Sequence, residues 1–385
     1  MQKLGYSAED FAFREEVRTF LREQLPPELA ALEAQHSHLK RRDTDPWQKL
    51  LAARGWAVPN WPKANGGPDW TAVQRHIWDV EYGRANAPEY NIIGVGMVGP
   101  VIAEFGSDAQ KAYFLQAIIK GDLHFCQGFS EPGAGSDLAS LKTRALRDGE
   151  DYVVTGQKIW TSHAADADMM ICLARTNMEV KPQAGLSMIL LPMDAPGITV
   201  RPIRSIDGIE SINEVFLDEV RVPASAVIGE ADMGWTYAKF LLTAERTHNA
   251  YLGMLHRYLD RLRIATAGLG PAIRRRLVQL EIDVEAHDWS VLRVRLGEDE
   301  RLGGASASAL KVTASELLIR AGMMEVEALG PSALVEADGQ ASALSNWVDR
   351  GADGKMSQLL YWRAATIFGG ANEIQRSIIW NTLAR

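Results

Sequence analysis

The sequence predicts an α+β fold in which a helical segment, a β segment and a second helical segment follow one another. Three observations predict it. Apolar residues recur at helical spacing over the first third of the chain and again beyond Gly234. From about Phe125 to Val222 the period changes to short β-favouring runs separated by Gly, Pro, Asp and Asn. The 385 residues are too many for one small core and enough for two or three packed units. The expected domains are residues 1–124, helical; 125–232, a small barrel or sandwich; and 233–385, helical.

The elements follow in order. Ser7 and Asp10 form an N-cap box, and Phe13, Val17, Phe20 and Leu21 continue at helical spacing until Pro26-Pro27 stops the run. A second helix surrounds residues 47–53, and a turn-rich loop, 59–68, leads to a helical segment over 73–82. Residues 91–105 are the most apolar stretch, but Gly94, Gly96, Gly99 and Pro100 break it up. It is too short and interrupted to span a bilayer, and it reads as a buried segment with close helix contacts. Strands are expected at 152–154, 169–174, 186–191, 198–203 and 215–222. Beyond Gly234, Leu255, Leu259, Leu262, Leu277 and Leu280 mark apolar helix faces, while Gly303-Gly304 and residues 337–354 read as interhelical loops.

Composition narrows the function. A formal net charge of -8 opposes nucleic-acid binding. Cys126 and Cys172 give neither a disulfide framework nor metal-ligand spacing, and the eight histidines show no ligand pattern, so no metal is expected. The N-terminus runs from Met1-Gln2-Lys3 into charged helix without an apolar signal core, and a reducing, cytoplasmic setting is the expectation.

Residues 126–138 read CQGFSEPGAGSDL and residues 156–162 read GQKIWTS. Further blocks are GWAVPNWP from Gly55, IDGIESINEVFLDEVRVP from Ile206, GWTYAKFLLTAERT from Gly234 and IFGGANEIQRSII from Ile367. In this order they resemble the acyl-CoA dehydrogenase family over essentially the whole chain. Within the family they are similar to the large flavin-carrying subunit of pimeloyl-CoA dehydrogenase and to bacterial enzymes acting on steroid side-chain thioesters. The resemblance implies an N-terminal helical domain, a middle β-barrel and a C-terminal four-helix bundle. It also implies bound FAD, an acyl-CoA substrate and electron-transfer flavoprotein as acceptor.

Glycines 133 and 135 let backbone approach a ligand and free N–H groups for phosphate or flavin oxygens. Carried over residue by residue, the family pattern places Gln127, Phe129, Ser130, Gly135 and Ser136 along the flavin and its pyrophosphate. Trp160 lies against the ring, Thr161 and Ser162 lie near its N5 edge, and Glu373 joins the cofactor site. Ser136 also approaches the coenzyme A chain. Glu131, beside Pro132, reads as a loop-fixing acceptor.

Removing an α-proton requires a carboxylate and hydrogen bonds to the thioester oxygen, where enolate charge develops. The family's Tyr-Glu-Gly block, which commonly holds the base, reads Phe368-Gly369-Gly370 here, so no carboxylate is available. A second family arrangement places the base on the first long helix of the C-terminal domain, and there the chain has Glu245, with Arg246 to bind substrate or support it. Gly369 retains a backbone N–H for the thioester oxygen. The Arg-x-x-Phe-Gly block that meets the adenine end across a subunit interface is absent, and the region reads WSVLRVRLGEDERLG from Trp289. Its loss points to a heteromer with a related smaller subunit, a homo-oligomer being the alternative. An acyl-CoA oxidase and a non-catalytic subunit are the competing readings of function.

Overall fold

The structure, a computed structural model, describes residues 6–35, 39–248, 250–297, 305–334 and 354–384, and of 243–248 the backbone alone. The expected loop at Gly303-Gly304, and all but Gly354 of the one at 337–354, lie outside the described residues.

The N-terminal domain begins with α1 (Ala8–Gln24), α2 (Pro27–Ala34), α3 (Arg41–Arg54) and α4 (Ala72–Arg84). The Ser7 hydroxyl accepts from Asp10 N–H while Asp10 accepts from Ser7 N–H, the reciprocal cap read in the sequence. Pro27 at the start of α2 separates it from α1, and α3 ends at Gly55 in the left-handed region. Phe13, Val17, Leu21, Trp47, Leu51, Trp56 and Trp78 form one buried cluster. The apolar stretch is a π-helical turn, Gly94–Val98, running into α5 (Gly99–Phe105). Trp61 Nε1 donates to Val95 O at 2.8 Å, and a Cβ on Gly99 would lie 1.9 Å from the Trp61 ring, so only glycine admits this contact. The short helices α6 (Asp108–Gln110) and α7 (Gln116–Lys120) lead into the sheet.

One seven-stranded sheet contains β1 (Phe125–Gly128), β2 (Arg144–Asp148), β3 (Asp151–Ser162), β4 (Met169–Arg175), β5 (Leu186–Pro192), β6 (Ile198–Ile203) and β7 (Ile212–Pro223). Its order is β1-β4-β2-β3-β7-β6, with β5 pairing β4. Side chains alternate between two cores, as a period of two requires. Phe125, Ile171, Leu173, Met188 and Leu190 face the helices through Val98, Val101, Ile102 and Leu241. Cys126, Ala145, Val154, Met170, Cys172, Ile189, Leu191, Val215 and Leu217 face inward. That inner cluster draws on β1 to β5 and β7, so the sheet curls over its own core as a half-barrel. The two cysteines are buried and free.

The C-terminal domain comprises α8 (Gly234–His248), α9 (Leu252–Ala265), α10 (Pro271–Arg295), α11 (Ser306–Leu329), α12 (Lys355–Trp362) and α13 (Asn372–Leu383). Leu255, Leu259, Leu262, Leu277, Leu280, Leu317 and Leu318 make its core. Helices α4 and α9 meet directly: a Cβ on Gly83 would lie 2.2 Å from the Gly253 backbone, and Arg257 Nε donates to Gly83 O at 2.9 Å. Among the described residues no helix is long and apolar enough to cross a membrane.

Candidate active site

The glycine-rich loop after β1 is anchored by one buried ion pair. Glu131 accepts from the backbone N–H of Lys142 at 2.6 Å and of Thr143 at 2.8 Å, and from Lys158 Nζ at 2.9 Å. Lys158, fully buried on β3, also donates to the carbonyls of Phe129 at 3.1 Å and Leu173 at 2.8 Å. Burial opposes ionisation of Glu131, but Lys158 and the amide donors outweigh it and hold the carboxyl below its ordinary range. The carboxylate therefore has structural partners on every side, as its place beside Pro132 implied. Ile159 N–H donates to Ser130 O, tying the loop to β3.

Trp160 stands at an irregularity in β3. The register with β7 shifts between Lys158 and Thr161, so Ile159 and Trp160 together face Glu214. Trp160 has φ +60°, a conformation that bulky L-residues rarely take, and its ring is 58% exposed. The bulge thus turns a large indole outward on a strand whose interior is well packed. Gly133 and Gly135 are exposed, and a Cβ on either would meet no protein atom within 4 Å, so their approach is open. Thr161 Oγ1 is buried and has no hydrogen-bond partner among the described residues, and the Thr161 carbonyl accepts from Asn213 Nδ2 at 3.0 Å. This combination of open glycine backbone, outward indole and short hydroxyls fits an isoalloxazine with a pyrophosphate.

A cavity of about 190 Å³ opens beside this face. The N-terminal domain supplies Tyr90 and Ile92, the sheet Phe125 and Ser162, and the C-terminal domain Met254 and Trp362. Its other end is charged: Arg41 pairs with Asp168 at 2.6 Å and Asp45 at 3.1 Å, and Glu33 pairs with Arg257 at 2.8 Å. Burial raises the Glu33 carboxyl even with Arg257 beside it.

The Gly369 loop borders the same region. The rings of Tyr251, Trp362 and Phe368 follow one another, with centroids 5.1 and 6.4 Å apart. They connect the α8–α9 junction to the residue before Gly369. Gly369 and Gly370 have φ +65° and +89°. The α8 backbone is continuous through Glu245 and Arg246, whose side chains lie outside the described residues.

The sequence-predicted residues thus divide. Gln127, Phe129, Ser130, Gly135, Ser136, Trp160, Thr161 and Ser162 come together on β1, its following loop and β3, and Ser162 also lines the cavity. Phe129 is buried in the core. Glu373 lies exposed in the first turn of α13. Residues the sequence reading missed are Lys158, which sits inside the GQKIWTS block, and Lys311 and Gln375, which hold the Gly369 loop.

Residues 7–122, 126–220 and 232–384 match, in turn, the N-terminal, middle and C-terminal domains of acyl-CoA dehydrogenase. The chain is a three-domain oxidoreductase and belongs to the acyl-CoA dehydrogenase family. It is similar to the acyl-CoA dehydrogenase IpdE1 of Mycobacterium tuberculosis, with 34% identity over 95% of each chain. Among solved structures it is similar to the Tcur3481-Tcur3483 steroid ACAD, with 30% identity, a TM-score of 0.84 and coverage of 98% of this chain and 97% of that one. It is also similar to the ChsE4-ChsE5 complex from Mycobacterium tuberculosis, with 29% identity, a TM-score of 0.84 and coverage of 99% and 98%.

Proposed function

We propose that the chain is an FAD-dependent acyl-CoA dehydrogenase that removes the α- and β-hydrogens of an acyl-CoA thioester and releases the trans-2-enoyl-CoA. The single observation that carries this reading is Trp160, held outward at a strained bulge next to the open loop that the Glu131–Lys158 pair anchors. Gln127, Ser130, Gly135, Ser136, Thr161, Ser162 and Glu373 would hold FAD together with Trp160, and Phe129 would pack beneath it. The chemistry FAD supplies when bound is acceptance of the β-hydrogen as hydride.

Glu245 takes the α-proton, and Arg246 orients the substrate or the carboxylate. Gly369 N–H donates to the thioester oxygen, lowering the cost of the negative charge that develops there. The Tyr251, Trp362 and Phe368 rings beside Gly369 would exclude water from the α-carbon and strengthen that hydrogen bond. The steroid enzymes among the relatives support a bulky, ring-containing acyl group, and glycine at position 369 leaves room for one. Their paired subunits support assembly with a related smaller subunit, and electron-transfer flavoprotein is the proposed acceptor in a cytoplasmic setting.

Glu245→Gln keeps the shape of the side chain but cannot accept the proton. Mixed anaerobically with an acyl-CoA in a single turnover, it should bind FAD and thioester yet reduce the flavin slower by roughly two or more orders of magnitude. Bleaching at the unmodified rate would remove Glu245 from the mechanism.

A further inference from the structure

Gly369 and Gly370 are consecutive left-handed residues, and such a pair is free to wander unless held. Both of its carbonyls are held. Gln375 Nε2, on α13, donates to Gly369 O and Gly370 O at 3.2 Å each. Lys311 Nζ, on α11, donates to Gly370 O and to Asn372 Oδ1 at 2.9 Å each. Asn372 Nδ2 in turn donates to Ser315 Oγ at 3.0 Å. Lys311, Ser315, Asn372 and Gln375 are all buried, between 0% and 3% exposed. On the other side of the loop, Phe368 N–H donates to Ala364 O at 3.0 Å. The chain is therefore fixed immediately before and after the 368–369 peptide. Among the described residues the N–H of that peptide has no hydrogen-bond partner.

Among the described residues the N–H groups of Gly370 and Ala371 are also without a partner, and Gly369 is the one that directly follows the Phe368 anchor. A fixed chain with a free donor is what stabilisation of a developing oxyanion requires. The donor must be held to within roughly 0.5 Å of its productive place. Side-chain clamps can supply that precision where two glycines cannot. A Cβ on Gly370 would lie 2.3 Å from Gln375 Nε2, so the clamp and the glycine are mutually fitted.

We propose that Lys311 and Gln375 are positioning residues that aim the Gly369 N–H at the thioester oxygen. The proposal rests on the dehydrogenase reading above. Neither residue touches substrate, and both act through the 369–370 backbone.

The test is the acidity of a bound α-proton, which a purely structural role leaves unmoved. The probe is a 3-thiaacyl-CoA, whose sulfur acidifies the α-carbon and whose enolate gives a long-wavelength band with oxidised flavin. The band is titrated against pH in the unmodified protein, in Lys311→Met and in Gln375→Leu, each in its native assembly. Flavin content and the affinity for the un-ionised thioester are measured alongside. The expected result is an ionisation weakened by about tenfold or more, that is, a midpoint higher by about one pH unit, with flavin content and thioester affinity changed by less than about threefold. Gln375→Leu, which removes no buried amine, is the second variant on which the test stands if Lys311→Met unfolds the chain. Midpoints unchanged in a folded, flavin-loaded variant would overturn the proposal. So would equal losses in ionisation, affinity and flavin content. If the unmodified protein gives no band and bleaches with no thioester, the dehydrogenase reading falls and takes the clamp with it.

Discussion

Replacing Lys158 with methionine tests how the glycine loop is anchored. The substitution nearly preserves side-chain volume, so the cavity contribution is small. It removes three hydrogen bonds, to Glu131 at 2.9 Å, Phe129 O at 3.1 Å and Leu173 O at 2.8 Å. It also leaves a buried carboxylate without its cation. Breaking a buried pair in this way costs about 3–5 kcal/mol. Glu131 keeps the amides of Lys142 and Thr143, which favours the lower end, about 3 kcal/mol. At about 1.4 kcal/mol per decade, that is roughly a hundredfold in the local opening equilibrium. The assay is hydrogen exchange of the amides of Lys142, Thr143 and Ile159, which should exchange about a hundredfold faster, while those of α11 remain unchanged. Adding Glu131→Gln removes the stranded charge and should recover most of the loss. Exchange within about threefold of the unmodified protein would refute the reasoning, because the pair would then carry no net stabilisation.

Trp160→Ala should weaken FAD binding by about tenfold or more and shift the flavin spectrum, with full retention and an unchanged spectrum counting against the ring contact. Gly83→Ala places a Cβ 2.2 Å from the Gly253 backbone, so it should lower stability by about 1–3 kcal/mol, read as a drop in melting temperature. His76 is fully buried, and burial depresses its pKa from 6.5 to about 4. The unfolded chain binds this proton before the folded one does. Stability should therefore fall by about 3 kcal/mol as pH drops from 6.5 towards 4. His76→Phe should flatten that part of the pH–stability curve, and an unchanged slope would assign it to other groups.

How much of this was legible beforehand follows from what each signal measures. Strands β4 to β7 stood out because both or alternate faces are apolar. Strand β2, Arg-Ala-Leu-Arg-Asp, escaped notice because only Ala145 is buried on it, and one residue makes no periodicity. The proposed cofactor face was readable as a pair of blocks. Its anchor was not, since a buried Lys158 among polar and β-branched residues looks like any surface lysine until the fold brings Glu131 to it. The same holds for Lys311 and Gln375. Their partners are backbone carbonyls, and a sequence carries no mark of which carbonyl a side chain will reach. Gly369 came from the resemblance to the family's C-terminal block, but the reason two left-handed residues hold still lies in α11 and α13.

Many interfaces between domains slide by exchanging rotamers, but at the point where α4 and α9 come nearest, Gly83 against Gly253, there is no side chain to exchange. Gly83 and Gly253 bring two backbones together, so the spacing of these helices is set by van der Waals contact of main chain on main chain rather than by the choice of side chains between them. Tyr90 and Ile92 follow one helix and Met254 sits next to Gly253 on the other, and all three line the cavity. Its width at that point is consequently set like a machined gap. A guest too wide for that gap meets the side chains of Tyr90, Ile92 and Met254 first, so altering one of these lining residues is the direct way to admit it.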